Sequence, residues 1–476
     1  MTRSAAAAVV REAGGSELLE RLEHLDALAG TRPHDEALAK PIAGDTGVDV
    51  DVVIAGGGLS LLYAPLLAAR GLRVLVADRG TVGRAHREWN AQLGELTTLV
   101  RHGLLTQEDV ERIVVRTYAY GVCTWYDGGS FPVKGVLDCA FDGRALLAHV
   151  RARAEATGVQ ICDETRVFGL GEGPGGITVG LEDRAGKRRT LRAKFVVDAR
   201  GAASPYASAD LVCPTVGGVL RGLEEGSGPR QQDPNVGEIL ATTETLLAGQ
   251  QHLWEAFPGR HGETTVYLFY YTWSKRFRPG DLLELYARFF ERLPLYRSGN
   301  AQVIAPTFGL IPGWSRLSPP PRAPGRRVLL VGDAAARHSP LTYCGFGDLV
   351  RSLDDTLDRI ALGAASPEGL AGVREDRAIH GGTGLLAAMM AEPPSDPHEH
   401  AAVNTLLNTA FETLHAMPND AYARLLRDEM SGREFVSFLR TTAKKRPEVY
   451  RSVFERLGPA AVAKWGLNLA SGFLAS

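Results

Sequence analysis

The stretch VVIAGGGLSLLYAPLLAARGLRVLVADRG, residues 52–80, decides the fold class of this chain. It consists of an apolar run, three consecutive glycines, an apolar segment of helix length and a second short apolar run. These parts predict, in that order, a strand, a tight turn, a helix and another strand. Together these elements form a βαβ unit. Residues 52–69 carry no charge and are long enough to suggest a membrane span, but the glycines and Pro65 favour the βαβ interpretation.

The glycine turn predicts a dinucleotide site, because glycines let backbone N–H groups approach a pyrophosphate at a helix N terminus. The residues expected to make this approach are Gly56, Gly57 and Gly58. Asp78 ends the second strand 22 residues after Gly56, the spacing expected of an acidic residue that binds a ribose hydroxyl. Leu61 stands where the pattern expects a further glycine, so a plain βαβ unit is the alternative.

The length of the chain, 476 residues, exceeds what a single core supports, so we expect several lobes. The predicted fold class is α/β, with a Rossmann-like dinucleotide-binding domain, an inserted β-rich substrate domain and a C-terminal helical region. The expected boundaries are an N-terminal helix and linker at 1–50, the dinucleotide-binding domain at 51–204 and 325–365, the β-rich domain at 205–324, and the helical region at 366–476.

Composition excludes several classes of function. A net charge of -2 gives no field that would attract nucleic acid. The five cysteines are scattered, without a C-x-x-C pair, so neither a disulfide framework nor a metal site is indicated and we expect a cytoplasmic protein. Residues 457–476 hold a single charge, Lys464, and form either a peripheral contact with the inner membrane or a helix packed on the main body, of which packing is favoured.

Two motifs far from the glycine turn carry a family resemblance. GDAAARHSP, residues 332–340, resembles the G-D-x6-P signature of the para-hydroxybenzoate-hydroxylase type of flavoprotein, and FVVDARGAAS, residues 195–204, resembles a third motif of that group. The resemblance implies an FAD-binding Rossmann-like domain of this type, with FAD rather than NAD as cofactor. It implies further cofactor-binding residues at Asp198, Gly201, Gly332, Asp333, Pro340 and Gly345.

A narrower resemblance begins after Asp78. The run GTVGRAHREWNAQLGEL, residues 80–96, is similar to the G-R-x-x-E-W-N run of the CruA/CruP-type lycopene cyclases of photosynthetic bacteria, and it adds Arg84 to the implied cofactor contacts. The similarity continues through HLWEAFPG (252–259), VYLFYY (266–271) and GDAAARHSPLTYCGFG (332–347). The chain departs from the family pattern at Leu61, Ala91, Gln92, Leu93, Ala336 and Cys344.

This resemblance implies a redox-neutral cyclisation of a linear carotenoid or related polyene. An acid protonates the terminal double bond, a ring closes, and a proton is lost, with reduced FAD present and NAD(P)H as a candidate reductant. Glu255, flanked by Trp254 and Ala256, is the first candidate acid, because an apolar setting keeps a carboxyl protonated at neutral pH. Glu88 is the second candidate acid or positioning group.

Other functions on the same fold stay open. An FAD-dependent monooxygenase or oxidoreductase acting on a hydrophobic isoprenoid or aromatic substrate is the main alternative, and it would consume NAD(P)H. A saturating isoprenoid reductase would change the substrate mass, and a non-catalytic flavoprotein is a further alternative. Trp89 and Trp254 are interpreted as core packing rather than as cation stabilisers.

Overall fold

The computed structural model describes residues 1–27, 47–85, 88–207, 209–315, 317, 323–336, 341, 345–366, 381–392 and 400–475. Its strands are β1 Val50–Ala55, β2 Val74–Ala77, β3 Glu88–Ala91, β4 Val114–Thr117, β5 Tyr120–Thr124, β6 Ser130–Val133, β7 Cys139–Asp142, β8 Gln160–Cys162, β9 Thr165–Gly173, β10 Gly176–Asp183, β11 Arg188–Asp198, β12 Leu211–Leu223, β13 Val236–Ala241, β14 Leu253–Pro258, β15 Glu263–Phe269, β16 Thr272–Trp273, β17 Gly299–Gly313 and β18 Val328–Leu330.

The α-helices are α1 Arg3–Ala27, α2 Tyr63–Ala69, α3 Leu93–Arg101, α4 Gln107–Ile113, α5 Gly143–Ala156, α6 Asp281–Tyr296, α7 Gly345–Arg351, α8 Leu353–Ala365, α9 Gly381–Ala391, α10 Ala402–His415, α11 Ala421–Leu426, α12 Gly432–Lys445, α13 Glu448–Leu457 and α14 Pro459–Ala475. Short 3-10 turns occur at η1 Leu59–Leu62, η2 Gly201–Ala203 and η3 Gly332–Ala334. Among the described helices, none is both long and apolar enough to cross a membrane.

The first sheet contains the predicted βαβ unit. Within the described residues it has seven strands in the order β8, β2, β1, β11, β10 and β9, with β18 beside β11. β8, β2, β1, β18 and the second half of β11 run parallel, whereas β9, β10 and the first half of β11 form an antiparallel meander. β1 is buried along its whole length, as expected of a central strand covered on both faces. The carboxyl ends of β1, β2, β11 and β18 therefore lie at one edge.

Both faces of β1 pack against apolar side chains. Val52 and Ile54 belong to a cluster with the apolar residues of α2, α5 and α8. Val53 and Ala55 point to the opposite face and belong to a cluster with the apolar residues of the β9–β10 meander. This alternation is the two-residue period of a strand, and it fixes the direction in which the glycine turn leaves β1.

The second sheet has eight strands among the described residues, in the order β16, β12, β15, β14, β13, β5 and β6, with β17 also paired to β12. We call the side that carries Leu253, Phe257 and Tyr267 the front face, and it packs against the C-terminal helices. The side that carries Trp254 and Leu268, the back face, packs against α1 and α6. The sheet is therefore enclosed on both sides.

This second lobe differs in one respect from the boundaries expected from the sequence. β5 and β6 belong to the second sheet although they lie within the segment 51–204, because β5 pairs in parallel with β13 and Tyr120 lies opposite Val236. The segment 205–324 is rich in strands, and its helix α6 covers the back face. The described residues of the C-terminal region, 381–392 and 400–475, are mainly helical.

The N-terminal helix α1 is attached to the second lobe rather than to the dinucleotide-binding domain. The N-terminal helix expected within residues 1–50 is present as Arg3–Ala27, and Gly15 interrupts it with a φ of 80°. The buried carboxylate of Asp26 accepts hydrogen bonds from the backbone N–H groups of Leu282 (3.0 Å) and Leu283 (3.4 Å). Asp26 thus caps the N terminus of α6 from a different helix.

Candidate functional site

The glycine turn after β1 needs glycine at its first position, because of both the backbone conformation and the lack of space for a side chain. Gly56 has a φ of 112°, and a Cβ atom on it would lie 2.4 Å from the carbonyl oxygen of Ala199. The N–H of Gly57 donates to Oδ2 of Asp78 over 2.8 Å, and the N–H of Gly80 donates to Oδ1 of Asp78 over 2.7 Å. Asp78 therefore ties the turn to the end of β2 while remaining partly exposed.

Gly58 marks the open side of this turn. It is exposed, and a Cβ atom on it would meet no atom within 4 Å. The turn continues into η1 and then α2, so the N-terminal N–H groups of this helical stretch follow directly after the glycines. A backbone that is open at this point can be approached closely by an anionic group.

Leu61 does not fill the space beside the glycines. Its side chain is fully buried in the core of the first lobe. It points toward Gly83, where an added Cβ atom would lie 3.2 Å from Leu61 Cδ2. Pro65 lies in the first turn of α2, where a missing N–H is tolerated. Leu61 and Pro65, the two departures from the nucleotide-binding pattern, are thus both buried.

The loops that follow β1, β11 and β18 meet at the carboxyl edge of the sheet. β11 lies between β1 and β18, so the turns after these three strands are neighbours. Gly56 approaches the backbone of Ala199, and a Cβ atom on Gly201 would lie 3.7 Å from Cβ of Asp333. Gly332 is exposed and has a φ of 56°. The structure therefore brings together motifs that are more than 250 residues apart, since Gly56 and Gly332 are separated by 276 positions.

Asp198 is a correction to the expected cofactor contacts. Its side chain is fully buried. Its oxygens accept hydrogen bonds from Arg200 Nε (3.1 Å), Arg200 Nη2 (2.9 Å) and Ser204 Oγ (2.6 Å). Because no surface of this carboxylate is accessible, it cannot contact a ligand directly. Asp198 instead holds the turn that carries Gly201, and Arg200 is a structural partner that the sequence motif alone did not reveal.

The other expected cofactor residues have different positions. Arg84 is exposed in the loop that packs on the glycine turn, where a Cβ atom on Gly57 would lie 2.9 Å from Cα of Val82. Gly345 is the first residue of α7, and a Cβ atom on it would meet no neighbour. Pro340 lies outside the described residues.

Glu255 lies on the front face of the second sheet. It stands two residues from both Leu253 and Phe257, and it pairs with Tyr267 across the β14–β15 ladder. It is partly buried. The same apolar cluster includes Leu341, which follows the Gly332–Asp333 turn. The candidate acid and the candidate cofactor edge therefore border one apolar region.

Neighbouring groups show how dry this region is. Burial raises the pKa of the Cys123 thiol to about 12. Burial also raises the pKa of the Tyr422 hydroxyl, which donates to the carbonyl of Phe131 over 3.1 Å. Both groups therefore stay protonated at neutral pH, and neither supplies a negative charge to the front face.

Glu88 lies in β3, opposite Asp142 of β7, and its side chain is outside the described residues. The next residue, Trp89, packs edge-on against Phe141 with ring centroids 5.8 Å apart, which agrees with its interpretation as core packing. Trp254 points to the back face and stacks on Tyr296 at 4.7 Å, so it too is a packing residue.

Tyr271 is a residue of the site region that the sequence motifs did not indicate. Its buried hydroxyl donates to the carbonyl oxygen of Leu341. This bond joins the second sheet to the segment that follows the Gly332–Asp333 turn. The only sequence signal was its place in the aromatic run VYLFYY, which predicts a strand but not a contact between lobes.

Known proteins resemble this chain in structure but not detectably in sequence. No protein-family model matches the sequence, and no curated protein matches it. A geranylgeranyl bacteriochlorophyll reductase-like protein from Thermoplasma acidophilum is similar in structure, with a TM-score of 0.52 and 15% identity over 86% of this chain and 99% of that one. A flavin-dependent brominase gives a TM-score of 0.57 and 16% identity over 84% and 100%.

A third solved structure, aklavinone-11 hydroxylase in a ternary complex with FAD and aklavinone, gives a TM-score of 0.52 and 20% identity over 75% of this chain and 69% of that one. At these identities the similarity shows the fold alone. The predicted fold class is confirmed: this chain is α/β, with a Rossmann-like domain, an inserted β-rich domain and a C-terminal helical region.

Proposed function

We propose that this chain is an FAD-dependent enzyme that forms a ring at one end of a linear carotenoid-like polyene without net oxidation or reduction. The observation that carries the proposal is the meeting of the Gly56–Gly58 turn with the Gly332–Asp333 turn at one sheet edge, next to an apolar face that bears Glu255. The resemblance to lycopene cyclases in residues 80–96 and 252–259 supports the choice of substrate.

The residues at the sheet edge fit FAD. Gly58 leaves open backbone beside a helix N terminus for the pyrophosphate, and Arg84 is an exposed cation in the adjoining loop. Asp78 is partly exposed at the end of β2 and would bind a ribose hydroxyl. The motif resemblance supports Asp333, which is also partly exposed, as the residue that would bind the ribityl chain. The aklavinone hydroxylase with the same fold holds FAD, which supports this choice of cofactor.

The chemistry assigned to the protein is a proton transfer in a dry pocket. Glu255 delivers a proton to the terminal double bond, the next double bond attacks the resulting cation to form the carbon–carbon bond that closes the ring, and a proton from the carbon next to the new cation returns to the Glu255 carboxylate, so atoms and electrons balance. Reduced FAD would supply negative charge opposite the cation, where electrostatic stabilisation is strongest. The aromatic and aliphatic side chains around Glu255 exclude the water that would quench the cation.

The proposal is tested by expressing the chain in a host that makes lycopene. We expect a cyclic product of unchanged mass, and we expect Glu255→Gln to lower its formation by roughly 100-fold or more, the usual contribution of a general acid. Glu108→Gln, at an exposed position of α4, is the matched control and should leave conversion unchanged. Flavin content is measured in both variants, since the amide should not affect FAD binding.

If the lycopene of the host stays linear although the protein contains flavin, the proposed cyclase activity is rejected. That outcome would favour the redox alternative, which draws its support from the names of the structural neighbours: a reductase-like protein, a brominase and a hydroxylase. The redox alternative predicts consumption of NAD(P)H in step with product formation. A cyclase consumes none once its flavin is reduced.

A further inference from the structure

A second turn, residues 81–84, lies against the glycine turn and carries Arg84. The N–H of Arg84 donates to the carbonyl oxygen of Thr81 over 3.3 Å, and Gly83 has a φ of 75° inside this turn. The N–H of Gly83 donates to the carbonyl oxygen of Gly57 over 2.8 Å. Backbone hydrogen bonds therefore connect the two turns, and Arg84 is the exposed cation that follows the connection.

An ion pair from other parts of the first lobe binds both backbone polar groups of Val82. The N–H of Val82 donates to Asp163 Oδ1 over 2.7 Å, and its carbonyl oxygen accepts from Arg151 Nη1 over 2.9 Å. Arg151 Nη1 and Nη2 also donate to the two oxygens of Asp163, over 2.9 Å and 2.7 Å. Since Val82 is buried, its backbone groups depend on these two side chains.

The charges of this pair differ from the charge of Arg84 in what they can do. Hydrogen bonds from the Arg151 guanidinium hold the pKa of the Asp163 carboxyl below its usual value, so this carboxylate is charged at neutral pH. The two opposite charges cancel at a distance. Attraction of an anion to the turn is therefore left to Arg84, which is exposed beside the open backbone of Gly58.

Packing also restricts the position of this turn. A Cβ atom on Gly83 would lie 3.2 Å from Leu61 Cδ2 and 3.3 Å from Arg151 Cβ. The leucine that stands in place of the expected glycine thus occupies space next to the turn, and the lack of a side chain at Gly83 lets both fit. Because the turn has little room to move, loss of its partners at Val82 would displace Arg84 rather than leave it in place.

We infer that the Arg151–Asp163 ion pair positions Arg84 on the diphosphate of FAD. The inference rests on the proposed function for the identity of the cofactor, and it adds two positioning residues that no motif indicates. Both would act through the backbone of Val82 rather than by contact with the cofactor. Orientation matters here, because the guanidinium group presents its donors to phosphate oxygens in a rigid fork.

The inference is tested by diluting the flavin-loaded, full-length chain and measuring the fluorescence of released FAD, which gives its dissociation constant. We expect Arg84→Met to weaken FAD binding about tenfold or more, the effect of losing a charge-assisted hydrogen bond. Asp163→Asn should weaken it by a similar factor. Direct electrostatics predicts the opposite sign, since removing a negative charge would tighten binding of the anionic cofactor.

A double variant shows whether the pair acts through Arg84. Arg84→Met combined with Asp163→Asn should bind FAD as weakly as Arg84→Met alone, because no guanidinium is left to position. Glu155→Gln is the matched control: Glu155 is the other acidic partner of Arg151, with Arg151 Nε 3.0 Å from Glu155 Oε1, and its loss should leave FAD affinity unchanged. Arg151→Gln breaks the pair from its other side and replaces Asp163→Asn if that variant does not fold.

Salt dependence separates positioning from a purely structural role. Added KCl should weaken FAD binding less in Asp163→Asn than in the parent chain, whereas a structural role would lower the melting temperature and keep the parent dependence. Unchanged or tighter FAD binding in folded Asp163→Asn, or losses that add in the double variant, would overturn the inference. A parent chain that binds no FAD would overturn it together with the proposed function. FAD binding that depends on Asp163, without cyclisation of lycopene, would reject the cyclase alone.

Discussion

Gly56 and Gly58 share a turn but differ in what they contribute to it. At Gly56 the φ of 112° and the approach to Ala199 leave no room for a side chain. Gly58 has a φ of −78° and open space around it. The fold therefore requires glycine at position 56. Glycine at position 58 is not required by packing, and it leaves the backbone of the turn open to a ligand.

This difference yields a paired prediction. Gly56→Ala should lower the free energy of unfolding by about 2 kcal/mol or more, because the added methyl group meets a carbonyl oxygen and the backbone is strained. Gly58→Ala should cost less than half as much but should weaken FAD binding. Chemical denaturation and flavin titration measure the two effects. Equal losses of stability in both variants would show that the turn is not built as described.

At the scale of single elements, the N terminus of α6 depends on a side chain from α1. Asp26 accepts hydrogen bonds from two backbone N–H groups in the first turn of α6, where the helix itself supplies no carbonyl acceptor. Asp26→Ala should lower the free energy of unfolding by about 1 kcal/mol, the usual value of a capping side chain, and should increase cleavage of α1 in limited proteolysis. Glu23→Ala, at an exposed position of α1, serves as the control.

Sequence patterns predicted the elements around the site well, because those elements are local. The strand, glycine turn and helix of residues 52–69 follow from apolar runs and glycine placement, and the structure has them, with η1 as an added 3-10 turn. The pairing of β5 with β13 could not be predicted, since it joins strands that are far apart in the chain and neither strand carries a turn signal for the other.

For the whole molecule, the part of the site that could be predicted is the meeting of its loops at one edge of the sheet. The carboxyl ends of parallel strands share one edge, so turns after β1, β11 and β18 had to meet once the strands were placed in one sheet. The enclosure of Asp198 was not predictable, because it depends on Arg200 and Ser204 folding back over the carboxylate.

Stability of the whole molecule should depend on pH through His252. This histidine is buried beside Arg288, whose Nη1 lies 3.4 Å from His252 Nε2, and burial followed by the arginine charge lowers its pKa from 6.5 to about 3. Below pH 6.5, His252 binds a proton in the unfolded chain but stays neutral in the folded chain until the pH approaches 3. The folded state therefore loses stability as pH falls from 6.5 toward 3, by up to about 1.4 kcal/mol per pH unit.

The slope can be assigned to His252 by comparing two variants. Melting temperatures measured between pH 7 and pH 4 should fall less steeply in His252→Gln than in the parent chain, even if the variant is less stable at pH 7, because glutamine binds no proton in either state. His261→Gln changes an exposed histidine and should keep the parent slope. If His252→Gln kept that slope as well, the acid sensitivity would belong to the carboxylates, and His252 would be a packing residue without a share in it.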